Sequence, residues 1–263
     1  MMDSVCITGR EESADRPAIG GAWKQDTPEM YNDALKCETN HQMPPPGRQV
    51  KILCYGDSNT WGFSPVNGSR FPQHIRWPGV LRRCLGKGFT VVEDGLNGRT
   101  LVAFRMEGDP LNGSEHLITL LGAYKQLDLL ILYLGINDLF VDPHISAAAM
   151  MEELERVVDN ILGIREGLYA LLLAPLPVNI GREYDTYFHE HIEKSFELIE
   201  AFENVSTRKG CHFLDPSHVI SASRRDGVHI EAEEHIKLGM HLCMMVRELF
   251  TGLGSSSLRS SGG

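Results

Sequence analysis

The chain is expected to fold as an α/β protein, a three-layer α/β/α sandwich on a parallel sheet. Three observations predict it. Short apolar runs alternate with longer amphipathic stretches through the middle of the sequence, and strands taking turns with helices imply crossover connections and a parallel sheet. The run Leu127 to Leu134 is apolar on both faces, as a strand covered by helices on each side must be. Finally, the apolar run before Gly56 gives way to a turn carrying Asp57, Ser58 and Asn59. Polar side chains just beyond a buried strand stand where open α/β sheets gather their ligands.

Each element follows from its own pattern. Val50 to Tyr55 reads as the first strand, and Trp77 to Leu85 as a short amphipathic helix. Thr90 to Glu93 is the second strand and Leu127 to Leu134 the third. In Ser146 to Arg165, the positions Met150, Leu154, Val157, Val158 and Ile161 form one apolar stripe of helical period. Tyr169 to Ala174 is a fourth strand, stopped by Pro175 and Pro177. A helix with Phe196, Ile199 and Phe202 on its apolar face runs to Arg208. Cys211 to Leu214 is the last strand, and Glu231 to Phe250 the closing helix.

The ends read differently from the middle. Residues 1–47 mix Gly, Pro, Asp, Glu and Asn without period and close on Pro44-Pro-Pro-Gly-Arg. They are expected to be an extended or disordered arm, with one short helix around Glu29 to Leu35. Residues 252–263, rich in Ser and Gly, are expected to be a flexible tail. Residues 48–251 then make one domain, long enough to bury a substantial core.

Charge and cysteine usage narrow the partners. With 25 basic against 35 acidic residues the net charge is −10, which repels phosphate backbones and anionic lipid. No nucleic acid and no membrane partner is expected, and no apolar run reaches the length of a membrane span. The start of the chain does not show a basic segment followed by an apolar one, so it does not read as a secretory signal. The six cysteines are dispersed without metal spacing. Cys54, Cys84 and Cys243 lie in apolar runs and are expected to be small buried hydrophobes. Free thiols point to a cytoplasmic protein. Homo-oligomerisation is left open by the sequence.

Four short segments carry candidate chemistry. They are Gly56-Asp-Ser-Asn59, Asn97-Gly-Arg-Thr100, Gly135-Ile-Asn-Asp138 and Asp226-Gly-Val-His229. A serine hydroxyl needs an adjacent base to act as a nucleophile at neutral pH. Among eleven histidines, His229 stands out because Asp226 can fold back onto its Nδ1 and leave Nε2 for Ser58. Taken singly, each segment has an ordinary reading: a surface turn, a strand end, a turn dipeptide, a helix cap. Their occurrence together and in this order favours chemistry. The G-x-S-x-G elbow of the α/β-hydrolases is absent. His189 and His191, two residues apart in Phe188-His-Glu-His, point to nearly opposite sides of a helix. No metal is assigned.

These four segments resemble the sequence blocks of the SGNH (GDSL-type) hydrolases. The likeness spans about residues 50–250, and is closest to the bacterial arylesterase and acyltransferase branch. Cys54-Tyr-Gly-Asp-Ser-Asn-Thr-Trp-Gly62, Arg76-Trp77, Glu93-Asp-Gly-Leu-Asn-Gly-Arg-Thr100 and Asp109-Pro-Leu-Asn-Gly113 carry it. The segment Leu101 to Glu115 otherwise departs from the branch. The resemblance implies a flavodoxin-like fold without cofactor, Ser58 as nucleophile, His229 as base and Asp226 as its orienter. It also implies an oxyanion hole made of the backbone N–H groups of Ser58 and Gly98 and the side-chain amide of Asn137.

The expected function is hydrolysis of small, short-chain carboxylic esters through an acyl-enzyme, with acyl transfer to an alcohol as a further capacity of the branch. Asp57, Trp61, Phe63, Leu139 and Phe140 are candidates to contact substrate, together with the loop Pro175 to Ile180. Two rivals use the same fold: a carbohydrate O-deacetylase with a more polar entrance, and a binding module without catalysis.

Overall fold

The computed structural model describes residues 49–102, 108–164, 167–180 and 185–251. The expected arm with its expected short helix and the expected tail fall outside the described residues. Within them the chain runs β1 (Val50–Gly56), α1 (Ser58–Trp61), α2 (Trp77–Leu85), β2 (Phe89–Gly95) and α3 (Gly113–Ala123). It continues β3 (Leu129–Tyr133), α4 (Ile136–Val141), α5 (Ala147–Ile164), β4 (Tyr169–Leu173) and α6 (Asp185–Lys209). After β5 (His212–Leu214) and a single 3₁₀ turn (Pro216–His218), α7 (Ala232–Thr251) closes the chain.

The five strands lie in the order β2-β1-β3-β4-β5, every pair parallel. This is the flavodoxin-like order. Alternation along the strands divides the core in two. Leu53, Tyr55, Leu130, Leu132 and Leu172 face one side and pack with Leu117 and Leu121 of α3, the stripe of α5, and Leu198 and Phe202 of α6. Ile52, Cys54, Leu129, Ile131 and Leu173 face the other and pack with Trp77 and Leu81 of α2 and Leu238, Leu242 and Val246 of α7. Removing one leucine of Leu81's kind from water contributes about 1.5–3 kcal/mol, so both helical layers are well anchored.

Register levels the strand ends. Gly56 pairs with Gly95 on one side and Tyr133 on the other. The loops after β1, β2 and β3 therefore emerge side by side, and the chain direction reverses its spread across the sheet between β1 and β3. A switch point of that kind leaves a crevice at the carboxyl edge.

The structure departs from the sequence reading in several places. The helices α1, α3 and α4 were not anticipated. In α6, Phe196 is 57% exposed, while Leu198, Phe202 and Val205 are buried. The buried stripe thus runs at spacings of four and three residues along Leu198, Phe202 and Val205, and the Phe196–Ile199–Phe202 row is off its centre. Cys84 of α2 and Cys243 of α7 are joined by a disulfide, with Cα atoms 6.1 Å apart. The adjoining helices α2 and α7 bring together two thiols expected to be unpaired, because both lie on the seam where these helices cover the sheet. Cys54 and Cys211 are free. One ground for expecting a cytoplasmic protein is thereby removed. Among the described residues no helix is long and apolar enough to cross a membrane.

Candidate active site

The site starts where β1 stops. Asp57 is the N-cap of α1, and its carboxylate accepts the Asn59 N–H at 2.9 Å. Ser58 is the first helical residue and is only 3% exposed. The turn leaves no room at Gly56: a Cβ there would sit 2.1 Å from Thr60 Oγ1 and 2.5 Å from the Tyr133 carbonyl oxygen. Only glycine lets β1 end this close to β3 and α1. Burial pushes the Asp57 carboxyl up to about 6, against the Asn59 N–H, which favours its charged form.

His229 reaches the serine from a loop that precedes α7. The Ser58 hydroxyl lies 2.9 Å from His229 Nε2, and Asp226 Oδ2 lies 2.8 Å from Nδ1. A carboxylate at Nδ1 places the ring proton there and leaves Nε2 as the acceptor for the serine proton. Asp226 Oδ1 accepts the backbone N–H groups of Val228 and His229, each at 3.0 Å. Burial pushes the Asp226 carboxyl up, but the His229 ring and these two N–H groups together hold it below the ordinary carboxylate value. It is therefore ionised wherever the enzyme is folded and near neutral pH. The Phe63 ring stacks on the imidazole with centroids 4.2 Å apart, which shields one face of the ring.

The other two segments follow β2 and β3, the strands on either side of β1. Gly98, with φ of 76°, follows β2, and a Cβ there would meet nothing within 4 Å. Its outer side is open. Asn137 is the second residue of α4, and its Nδ2 donates to the Arg99 carbonyl at 2.9 Å. An amide NH2 has two hydrogens, so one fixes the group and the other is left to point elsewhere.

The segment carrying Gly98 is tied down on both sides. Arg99, buried, donates to the Gly56 carbonyl at 3.0 Å and the Asp94 carbonyl at 2.8 Å, and pairs with the Asp94 carboxylate at 2.9 Å. Its guanidinium also lies over the Tyr55 ring, 4.2 Å from the centroid. Asp138, fully buried, accepts the N–H groups of Leu101 and Val102, both at 2.8 Å. Burial raises its carboxyl to about 7, opposed by these two bonds.

The expected substrate contacts divide. Phe63 lies against the His229 ring. Asp57 is turned inward as a cap. Trp61 is partly buried with Arg70 5.2 Å over its ring. Leu139 is 1% exposed and belongs to the core, so it forms no wall; α4 turns Ile136 and Leu139 together toward α5 and α6. Phe140 is partly buried against the same core and stacks on His191 at 5.1 Å. In the loop Pro175 to Ile180, Leu176 and Val178 are buried. Asn179 there donates its backbone N–H to the Gly227 carbonyl and its side-chain amide to the Ala222 carbonyl, each at 2.8 Å. This loop supports the His229 loop from behind.

Sequence reasoning missed the supporting residues Arg99, Asp138, Asn59 and Asn179. Arg99 and Asp138 stand next to singled-out positions, and a charged residue beside a glycine or an amide at a strand end was the available signal. Asn179 had none, because its partners are remote in sequence.

A hydroxyl, an imidazole and a carboxylate in one hydrogen-bonded line at the carboxyl edge of a flavodoxin-like sheet define the class of serine hydrolases with a Ser-His-Asp arrangement. The chain belongs to the GDSL-like lipase/acylhydrolase family, whose pattern matches residues 54–237, and it is a carboxylic ester hydrolase. Solved structures agree. Est24, a carbohydrate acetylesterase from Sinorhizobium meliloti, is 30% identical and superposes with a TM-score of 0.69, covering 77% of this chain and 100% of that one. The aryl esterase of M. smegmatis gives 30% identity and a TM-score of 0.69 over 76% of this chain and 99% of that one. A lipolytic G-D-S-L protein from Veillonella parvula, 11% identical with a TM-score of 0.55 over 75% of this chain and 97% of that one, shares the fold. No curated protein matches the chain.

Proposed function

We propose that the chain hydrolyses small, short-chain carboxylic esters through an acyl-enzyme on Ser58. The observation that carries this is the unbroken line Ser58 Oγ, His229 Nε2, His229 Nδ1, Asp226 Oδ2, with links of 2.9 and 2.8 Å. In the reaction Ser58 Oγ attacks the ester carbonyl carbon while His229 Nε2 takes its proton. The carbonyl oxygen, now negative, is received by the N–H groups of Ser58 and Gly98 and the second amide hydrogen of Asn137. Donors held in place before charge develops are typically worth about 10²–10³ each in kcat. Collapse breaks the bond to the alkoxide, which leaves with the proton from His229. Water, deprotonated by the same nitrogen, then releases the acid and restores Ser58. Asp226 stabilises the imidazolium in both halves.

The short-chain preference rests on the bulk of the Phe63 ring, stacked on His229 with centroids 4.2 Å apart beside the serine. An added alcohol can replace water in the second half, giving acyl transfer. A fluorophosphonate probe with mass analysis tests the nucleophile: one adduct on Ser58 and loss of activity are expected. No adduct in active protein would overturn the assignment, and no activity at all would favour a binding module. Acetyl, butyryl and octanoyl 4-nitrophenyl esters test the chain length, with kcat/KM falling sharply at octanoyl.

Likeness to the S. meliloti acetylesterase supports a second reading, removal of acetyl groups from carbohydrate by the same residues. Acetylated sugars assayed beside aryl acetates separate the two by kcat/KM.

A further inference from the structure

The family is named for a Leu in the position after the nucleophile, Gly-Asp-Ser-Leu. Here that position is Asn59. Its side chain is buried, and both of its polar ends are engaged with the loop of the base. Nδ2 donates to the Val228 carbonyl at 3.2 Å, and Oδ1 accepts the Ile230 N–H at 3.2 Å. The two partners are the residues immediately before and after His229. One amide therefore grips the backbone on both sides of the imidazole-bearing residue, as a neighbouring strand would.

From this geometry we infer that Asn59 is a positioning residue, which sets the distance and angle of His229 to Ser58. The inference rests on Ser58 and His229 acting as proposed above. The physical case has three parts. Asn59 and Ser58 are consecutive in α1, so the clamp is referenced to the nucleophile's own helical turn, and any error in one moves with the other. The backbone N–H of Asn59 is fixed by Asp57 at 2.9 Å, so the side chain starts from a rigid base. Lastly, an asparagine amide supplies one donor and one acceptor, and the peptide groups flanking His229 present one acceptor and one donor. A leucine would fill the volume and leave the Val228 carbonyl and the Ile230 N–H without these partners.

The test uses Asn59→Leu, Asn59→Ala and Asn59→Asp beside the wild type. Active sites are first titrated with a fluorophosphonate, so that kcat is expressed per reactive serine. For the leucine and alanine variants kcat per titrated site should fall about 10- to 10²-fold, the loss that follows from an approximately 1 Å misplacement of a catalytic group. KM should stay within about twofold, because the substrate's own contacts are intact. Asn59→Asp keeps the acceptor for Ile230 and loses the donor to Val228, and should fall between wild type and leucine. Amide hydrogen exchange at Ile230 should quicken in Leu and Ala variants but not in Asp. A merely structural Asn59 would lower the melting temperature and the titratable fraction and leave kcat per site unchanged, which would overturn the inference. Unlabelled, inactive wild type would overturn the functional reading itself. Unchanged Ile230 exchange with labelled wild type would overturn the clamp alone.

Discussion

The turn that carries Ser58 and the loop that carries His229 are joined by three hydrogen bonds, one at Ser58 and two at Asn59, yet each is held in place by different forces. Asp57, Ser58, Asn59 and Thr60 are all buried. They hang from a strand paired on both edges, and the Asp57 carbonyl accepts the N–H groups of Thr60 and Trp61 at 3.1 and 2.8 Å. The loop has no strand. Its side chains are more open, 19% for His229 and 30% for Asp226. It is fixed by separate hydrogen bonds: Ser223 N–H to the His229 carbonyl at 2.7 Å, Gly227 N–H to the Ser223 carbonyl at 2.8 Å, and Asn179 N–H to the Gly227 carbonyl. Packing is all-or-none, because moving the Ser58 turn means opening the core. Hydrogen bonds can be lost one at a time. The place of Ser58 thus depends on the packed core, whereas that of His229 depends on individual hydrogen bonds of its loop.

The largest effect should come from the packed side, and it should be purely chemical. Ser58→Ala is expected to lower kcat on an aryl acetate by about 10⁵–10⁶-fold while the melting temperature changes little, since the substitution removes one hydroxyl oxygen and leaves the backbone hydrogen bonds of the turn in place. A large drop in melting temperature would mean that Ser58 holds the turn. Asp226→Asn should cost about 10⁴-fold in kcat. Its carbonyl oxygen can still accept the Val228 and His229 N–H groups, but its NH2 would face Nδ1 and force the wrong tautomer. A loss under about tenfold would show that Asp226 does not orient the imidazole.

Asn137→Ala tests a group outside both regions. kcat should fall about 10²–10³-fold with a smaller change in KM. Equal losses in both, with a lower melting temperature, would indicate a structural amide.

A methyl group sharpens the contrast further. Gly227 has φ of 77°, and a Cβ there would lie 2.2 Å from Ile180 Cγ1. In Gly227→Ala the loop should shift, at about 1–3 kcal/mol, visible as a fall of several degrees in melting temperature by calorimetry and about tenfold in kcat/KM. Gly56→Ala meets the Tyr133 backbone and should fail to give soluble folded protein. Equal tolerance of both would erase the distinction between packed turn and bonded loop.

How much of this was legible follows the same division. β3 could be read because it is apolar on both faces, and α5 because its stripe keeps helical period. The hydrogen-bonded set of Ser58, Asp226 and His229 could be read because Ser58 follows the end of a strand and the other two are three residues apart in sequence. The helix α3 escaped because it begins Gly113-Ser114, poor helix formers, and is held by the Asn112 side chain accepting the Glu115 N–H. In α6 the aromatic rings at Phe196 and Phe202 suggested a stripe whose true centre is set by the neighbouring helix. The Cys84–Cys243 pair is separated by 159 residues, and no local pattern encodes it. The hydrogen bonds of Asn59 and Asn179 to the His229 loop are likewise contacts between remote segments.

The smallest expected effect concerns the support of the segment that follows Gly98, where a packed carboxyl meets bonded backbone. Asp138 is buried and its carboxyl is raised to about 7, chiefly by burial. An acid whose folded value exceeds the unfolded one, near 3.9, holds its proton more tightly when folded. Its contribution to stability is complete below about pH 4 and is lost as pH rises through about 7. Asp57, raised to about 6 by burial, has the same sign over a narrower window. Asp226, lowered, has the opposite sign and acts at more acidic pH, so the total curve mixes them. The difference between wild type and Asp138→Asn isolates the one group. Asparagine cannot accept both the Leu101 and Val102 N–H groups as the carboxyl does, so the variant should be less stable at every pH. The gap should be widest at about pH 4 and narrow steadily toward about pH 7, as the wild-type carboxyl ionises more readily unfolded than in its buried setting. Melting temperatures of both proteins across that range, at fixed ionic strength, measure it. A gap that widens with pH would mean that the two N–H bonds outweigh burial, and that the carboxylate is the form on which the Gly98 segment rests.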